Sequence, residues 1–447
     1  MTTQHQHWGS RLTFILAATG SAVGLGNIWK FPYMVGESGG AAFVLVYLLC
    51  IAAIGMPVLI AEWLLGRRGQ KNAIDTMRDL AKENGRSSAW TLLGVSSVLV
   101  GAVILSFYSV IGGWSLYYTV QAGAGQFAEQ DAAGISDLFE QMLASPATLL
   151  LAHTVFMAAT VAIVARGLKG GIEASVRLLM PTLAGLILVL LAYAVSTGHF
   201  GEAFSYMFSF DLREISGGTV LAAMGQAFFT LSVGAGVMIA YGSYLGHETN
   251  LLSTARTVIL FDTGFALAAG LIIFPIVFAN GLETSEGPGL IFVTLPLAFA
   301  EMIGGTVIGL LFFLLLSFAA LTSSISLLEP VVEFLSERSS LGRAVSTAVA
   351  GAVIWALGIA ALLSFNVWSA PLPVIGMNVF DSLDVITSQY MLPLNGLFAA
   401  LFVGWALKWQ GVQDELGLSG GGAALWSILA RLVAPVGVAV VFVAGFF

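Results

Sequence analysis

The sequence predicts an all-α integral membrane protein of 11 transmembrane helices, ten of them in a 5+5 inverted repeat with spans 1 and 6 unwound at the midplane. Three observations predict this. The 447-residue chain is 58% hydrophobic and 9% charged, with a mean hydropathy of +0.92, where a soluble domain carries about 25% charged residues. Apolar windows long enough to cross a bilayer recur along the whole chain. Two of these windows, five spans apart, are interrupted by a Ser followed by Gly-x-Gly.

The windows lie near 11–36, 41–66, 89–123, 147–166, 172–197, 217–246, 253–280, 304–336, 342–365, 378–408 and 422–446. Residues 1–447 read as a single transmembrane domain, with a first repeat over 11–197, a second over 217–408 and the eleventh span outside the repeat. The polar, Gly-rich stretch 411–421 reads as a loop. With the N-terminus cytoplasmic, 14 of the 17 Lys and Arg residues fall in or beside inner loops, the exceptions being Lys30, Arg213 and Arg431. That matches the excess of cations expected on the inner side. The loops with Glu129, Asp131, Asp137 and Glu140, and with Glu283 and Glu286, carry no cation and belong outside. An odd span count places the C-terminus outside, in a multi-pass protein of the cell inner (plasma) membrane.

Composition also excludes several classes. Net charge is −8 and there is no basic tail, so no nucleic-acid partner is expected. A single Cys50 precludes an intrachain disulfide. No small-residue cleavage site follows the first span, so the N-terminus does not read as a cleaved signal. No metal cluster or nucleophile–base set marks an enzyme.

The interruptions are Ser21-Ala-Val-Gly24-Leu-Gly26-Asn27 in span one and Phe228-Phe229-Thr230-Leu231-Ser232-Val233-Gly234-Ala235-Gly236 in span six. Backbone in lipid must satisfy its own hydrogen bonds, so a break survives only inside protein or against a cavity. An odd-numbered unit repeated in one chain must reappear inverted, and broken helices at matching places line a binding site. Freed N–H groups at the new helix start attract a carboxylate, and freed carbonyls attract a small cation.

The chain resembles the neurotransmitter:sodium symporter family, whose members share the LeuT fold. The resemblance rests on Trp8-Gly-Ser-Arg11, Ala22-Val-Gly-Leu-Gly-Asn27-Ile-Trp-Lys30-Phe-Pro32, Gly39-Gly40, Glu62-Trp63 with Gly66-Arg67, Gly225-Gln226-Ala-Phe-Phe229-Thr230-Leu-Ser232 and Leu321-Thr322-Ser323-Ser324. It is similar in particular to the bacterial eleven-span branch. The resemblance implies two Na+ sites. The first would use Ala22, Asn27, Thr230 and Asp262 together with the substrate carboxylate. The second would use Gly20, Val23, Ala319, Thr322 and Ser323. Asp262 stands where many relatives carry Asn, and an intramembrane carboxylate there implies no chloride requirement and a route for proton counter-transport.

The family's substrate pocket would be lined by Ala22, Gly26, Ile104, Tyr108, Phe229, Thr230, Ser232, Ala235, Ser323 and Leu327. Tyr108 would bond the substrate carboxylate, and the apolar remainder with small Ala235 favours aliphatic and aromatic L-amino acids. Lys30 and Asp384 match an outer gate. Trp8 is kept at the inner gate, but His5 stands where relatives carry Arg or Lys, opposite Glu337. Glu62 looks like the residue that supports the broken span six. Gly171 and Pro181, ten positions apart, resemble a pair that lets the inner half of span five unwind. The expected function is Na+-coupled symport of hydrophobic L-amino acids. A proton-coupled carrier of the same fold is the alternative, and the oligomeric state stays open.

Overall fold

The computed structural model describes residues 6–128, 130–282, 289–373 and 376–444. His5, Glu129, Glu283 and Glu286 lie outside the described residues, and so do the expectations placed on them. Among the described residues, nine helices are long and apolar enough to cross a bilayer unbroken. Span one adds a bent pair, Arg11–Ala22 and Gly26–Glu37, at 46°. Span six adds Gly217–Thr230 and Val237–Ser243, separated by a non-helical linker. The eleven-span, all-helical architecture therefore stands.

Burial sorts these helices into an inner group and an outer ring. Spans two (Ala41–Gly69) and three (Ser88–Gly123) are 67% and 72% buried over their most apolar stretch, whereas spans four, five and eleven are 33% buried. Leu178, Leu188 and Leu260 are among the exposed apolar side chains of the outer ring. Exposed leucine is what hydrocarbon surroundings favour. Between inner helices, contact depends on small residues. A Cβ on Gly66 would stand 1.9 Å from the Ile239 carbonyl, and one on Gly242 would stand 2.7 Å from the Trp63 carbonyl. Span two and the second half of span six thus touch backbone to backbone.

Several elements correct the expectations. The stretch expected as a loop at 411–421 begins as a helix, Trp409–Leu416, which Gly417 ends in the left-handed region at φ 61°. The connections between spans three and four, five and six, and seven and eight carry the helices Ala132–Ala144 and Phe200–Phe208 and the short apolar helix Leu290–Glu301. Span five is helical from Leu168 to Ser196, so its inner half is not unwound here. Its first turn is a wide π-turn, Leu168–Glu173, and a Cβ on Gly171 would stand 2.0 Å from the Ile163 carbonyl. Arg431, one of the three misplaced cations, stacks 4.1 Å over Trp409 and donates to the Gly404 carbonyl at 2.7 Å. Helical side chains lean toward the N-terminus of their helix, so this guanidinium returns to the end that carries Lys408.

Candidate functional site

The break in span one diverts specific donors. In an unbroken helix the Gly24 and Leu25 amides would bond the Gly20 and Ser21 carbonyls. Here the Gly24 amide donates to Asn27 Oδ1 at 3.2 Å and the Leu25 amide to the Tyr108 hydroxyl at 3.1 Å. Ser21 O instead accepts from Ser232 and Ser323, at 2.9 and 3.0 Å. Glycine is needed at position 24 for space, since its Cβ would stand 2.2 Å from Ser323 Oγ. In span six the reason is dihedral. Gly234 and Gly236 have φ of 84° and 74°, and Ser232 shares the left-handed region at 52°.

Asn27, Thr230 and Asp262, expected at the first cation site, are brought together. Asn27 Nδ2 donates to Asp262 Oδ1 at 2.8 Å, and Thr230 Oγ1 donates to the same oxygen at 2.9 Å. All three residues are buried, and Asp262 Oδ2 has no hydrogen-bond partner. A buried carboxylate oxygen left bare is a strong acceptor for a hard cation. At the second set, Thr322 Oγ1 donates to Ala319 O at 2.9 Å and reaches Val23 O at 3.4 Å. A Cβ on Gly20 would lie 3.5 Å from the Thr322 Cβ and 3.0 Å from Met180 Sδ. Met180, which the sequence did not single out, therefore covers this set from span five, beside Pro181.

Ala22, Gly26, Ile104, Tyr108, Phe229, Ser232, Ala235, Ser323 and Leu327 line one cavity of about 30 Å³, together with Ser21, Gly24 and Leu392. Thr230 does not line it and faces the Asp262 cluster instead. The volume admits water, so an amino acid enters only if a wall moves. Phe229 is the wall next to Lys30. Lys30 Nζ lies 4.6 Å from its ring centroid and 3.4 Å from both carboxylate oxygens of Asp384.

Supporting residues lock the linker. Glu62 Oε1 accepts from the Gly234 amide at 2.7 Å, and Asn395 Nδ2 donates to the Gly234 carbonyl at 2.8 Å. Gln226 Nε2 donates to the Gly26 carbonyl at 2.6 Å. Asn395 escaped the sequence reading, although a polar amide in an apolar span was a signal for it.

Before the first helix, Trp8 donates from Nε1 to Tyr241 O at 3.0 Å and from its amide to Tyr244 O at 3.1 Å. Its ring packs on Phe14, Tyr241 and Tyr244. Glu337 accepts from the Asn72 amide and side chain at 2.9 and 2.7 Å, a loop contact that position 5 gave no hint of. Asp75, on the helix Ala73–Glu83, is clamped by Arg338 and Asn72. Partial burial disfavours its charge, but the hydrogen bonds from Arg338 and Asn72 and the nearby Arg78 outweigh that and hold the carboxyl below its usual range.

Comparison with known proteins identifies relatives over the whole chain. The chain is 36% identical to the sodium-dependent transporter YhdH of Bacillus subtilis, over 97% of this chain and 96% of that one. It is 34% identical to a sodium-dependent transporter of Haemophilus influenzae, over the full length of both. The crystal structure of MhsT in complex with L-phenylalanine is 44% identical and superimposes with a TM-score of 0.92, over 99% of this chain and 100% of that one. The profile of the sodium:neurotransmitter symporter family matches residues 5–132 and 123–447. The chain belongs to that family.

Proposed function

We propose that this protein takes up hydrophobic L-amino acids, aliphatic and aromatic, by Na+-coupled, chloride-independent symport with alternating access. The observation that carries the reading is the buried Asn27–Thr230–Asp262 cluster, with its bare carboxylate oxygen, one residue from a largely apolar cavity. A cation there would neutralise Asp262, and the substrate carboxylate would share it. The Leu25 amide now bonded to Tyr108 is a donor available to that carboxylate. Among the described residues no acidic side chain lines the cavity, which disfavours cationic substrates. L-phenylalanine bound to MhsT supports an aromatic-sized substrate.

Two Na+ sites are proposed, the second at Gly20, Val23, Ala319, Thr322 and Ser323. Access from outside opens when Lys30 leaves Asp384 and Phe229 swings away. Access from inside opens when Trp8 leaves Tyr241 and Tyr244. The N-terminus is assigned to the cytoplasm and the C-terminus to the outside, which places Arg431 with the inner cations.

The test is uptake of radiolabelled Leu, Trp, Tyr and Gly into proteoliposomes. Replacing Na+ by K+ is expected to abolish uptake of the first three, replacing Cl− by gluconate to leave it unchanged, and Gly to be carried poorly. Uptake driven by a proton gradient without Na+ would favour the alternative carrier.

Release inward is proposed to begin with unwinding of span five between Gly171 and Pro181, which removes Met180 from Gly20. Proline lacks the amide that would tie this turn together. Pro181→Ala is therefore expected to slow steady-state turnover several-fold while equilibrium substrate binding in Na+ stays at the wild-type value. Normal turnover would count against the hinge.

A further inference from the structure

Span ten has two faces at one turn. Leu392 lines the substrate cavity, while Met391, Leu394, Asn395 and Phe398 line a second cavity on the other side, against Trp90 and Leu93 of span three. This second cavity is about 480 Å³ and its walls are almost wholly apolar, a size typical of ligand pockets. It lies on the outer surface of the bundle: Leu92, Val95, Leu99 and Phe398 around it are 68%, 41%, 52% and 44% exposed. In a bilayer that surface meets hydrocarbon, so water has no place in the groove and a chain of methylenes does.

The end of the groove is charged. Trp90 packs edge-on against Phe402 at 4.9 Å and closes the groove toward the side that carries Arg67, Arg68 and Lys71. Just beyond it Arg86 donates to the Ala406 and Trp405 carbonyls at 2.9 and 3.1 Å. These bonds fix an exposed guanidinium whose charge they do not neutralise. Lys408 is exposed and its amide bonds Asn84 on the Arg86 loop, which brings the two cations to the same rim. Trp405 beside them is 58% exposed, and Trp at a lipid–water boundary sits at headgroup depth.

We propose that the groove between spans three and ten is a binding site for one anionic phospholipid, with an acyl chain along Leu93, Leu394 and Phe398 and the phosphate at Arg86 and Lys408. A buried amide makes the site consequential. Asn395, in its wall, is 3% exposed and holds the Gly234 carbonyl of the broken span six at 2.8 Å. The lipid therefore packs on the turn that fixes the linker. The binding claim stands independently of the transported substrate and of ion coupling.

Native mass spectrometry of the full-length protein, exchanged in mild detergent with equal phosphatidylglycerol and phosphatidylcholine of the same chains, tests it. The wild type is expected to retain one phosphatidylglycerol, preferred by about fivefold for each basic residue engaged. Arg86→Gln with Lys408→Gln is expected to lose the preference but still retain lipid. Ala89→Trp and Leu394→Trp, which fill the groove at two different walls, are expected to lose the retained lipid. A diazirine placed in the acyl tail should crosslink wild-type residues between Trp90 and Leu93 or between Leu394 and Phe398. Equal retention of both lipids by the wild type, undiminished retention by the filled variants, or crosslinks confined to other spans would overturn the proposal.

Discussion

Asp262→Asn is expected to weaken Na+ activation of uptake by about 10- to 100-fold in chloride-free buffer, with chloride recovering part of the loss. The carboxylate receives the Asn27 amide and the Thr230 hydroxyl on one oxygen and leaves the other bare. Interactions with a charged group contribute about 1.5–3 kcal/mol each, and each 1.4 kcal/mol corresponds to about tenfold in affinity. Substitution by Asn removes the negative charge but keeps the shape, so the cluster still assembles. What it then lacks is a counter-charge, which a small anion from solution can supply. The measurement is a Na+ titration of substrate binding to purified protein in gluconate and in chloride. An unchanged half-saturating Na+ concentration, with no response to chloride, would remove Asp262 from the coupling scheme.

Gly66→Ala is the second large effect. A methyl group there would stand 1.9 Å from the Ile239 carbonyl and 2.7 Å from the Ser243 amide, both rigid helix backbone. Overpacking typically costs about 1–3 kcal/mol, and here no flexible side chain exists to give way. Span two must move off the second half of span six. Glu62, one turn earlier on the same face, would then leave the Gly234 amide that it accepts from at 2.7 Å. The expected outcome is a thermal midpoint lowered by several degrees and loss of Na+-dependent binding. Gly185→Ala is the control, because nothing lies within 4 Å of its added methyl. Matching melting curves for the two variants would show that the close approach does not limit stability.

Much of this architecture was legible because the signals were local. Windows of apolar residues marked the spans, and Ser with Gly-x-Gly marked both breaks. Asn27, Thr230 and Asp262 could be named together only through the family resemblance, although a polar side chain in hydrocarbon is by itself a signal. Their meeting depends on spans one, six and seven converging, which no single window encodes. Other features were invisible for related reasons. Met180 looks like any apolar residue of span five until it is found over Gly20. The Asn72–Glu337 contact joins the loop after span two to the end of span eight across 265 positions. Gly24 marks the interruption of span one, yet its φ is not positive and its role is to make room for Ser323 Oγ and the Tyr108 hydroxyl. The stretch 411–421 reads as a loop because it is Gly-rich and polar, while Trp409 stacking on Trp426 and Arg431 gives helix Trp409–Leu416 a tertiary anchor.

The Ser21 carbonyl has one more implication. A carbonyl oxygen offers two lone pairs, and here hydroxyls from spans six and eight occupy both. That oxygen has no capacity left for an ion, although it lies between two residues assigned as cation ligands. It behaves as a hinge pin: one atom of span one on which two other helices are hung. A displacement of span one away from both partners would release both hydroxyls together. One backbone atom thus ties span one to the span-six linker and to span eight, and loss of either serine would free a lone pair of that carbonyl.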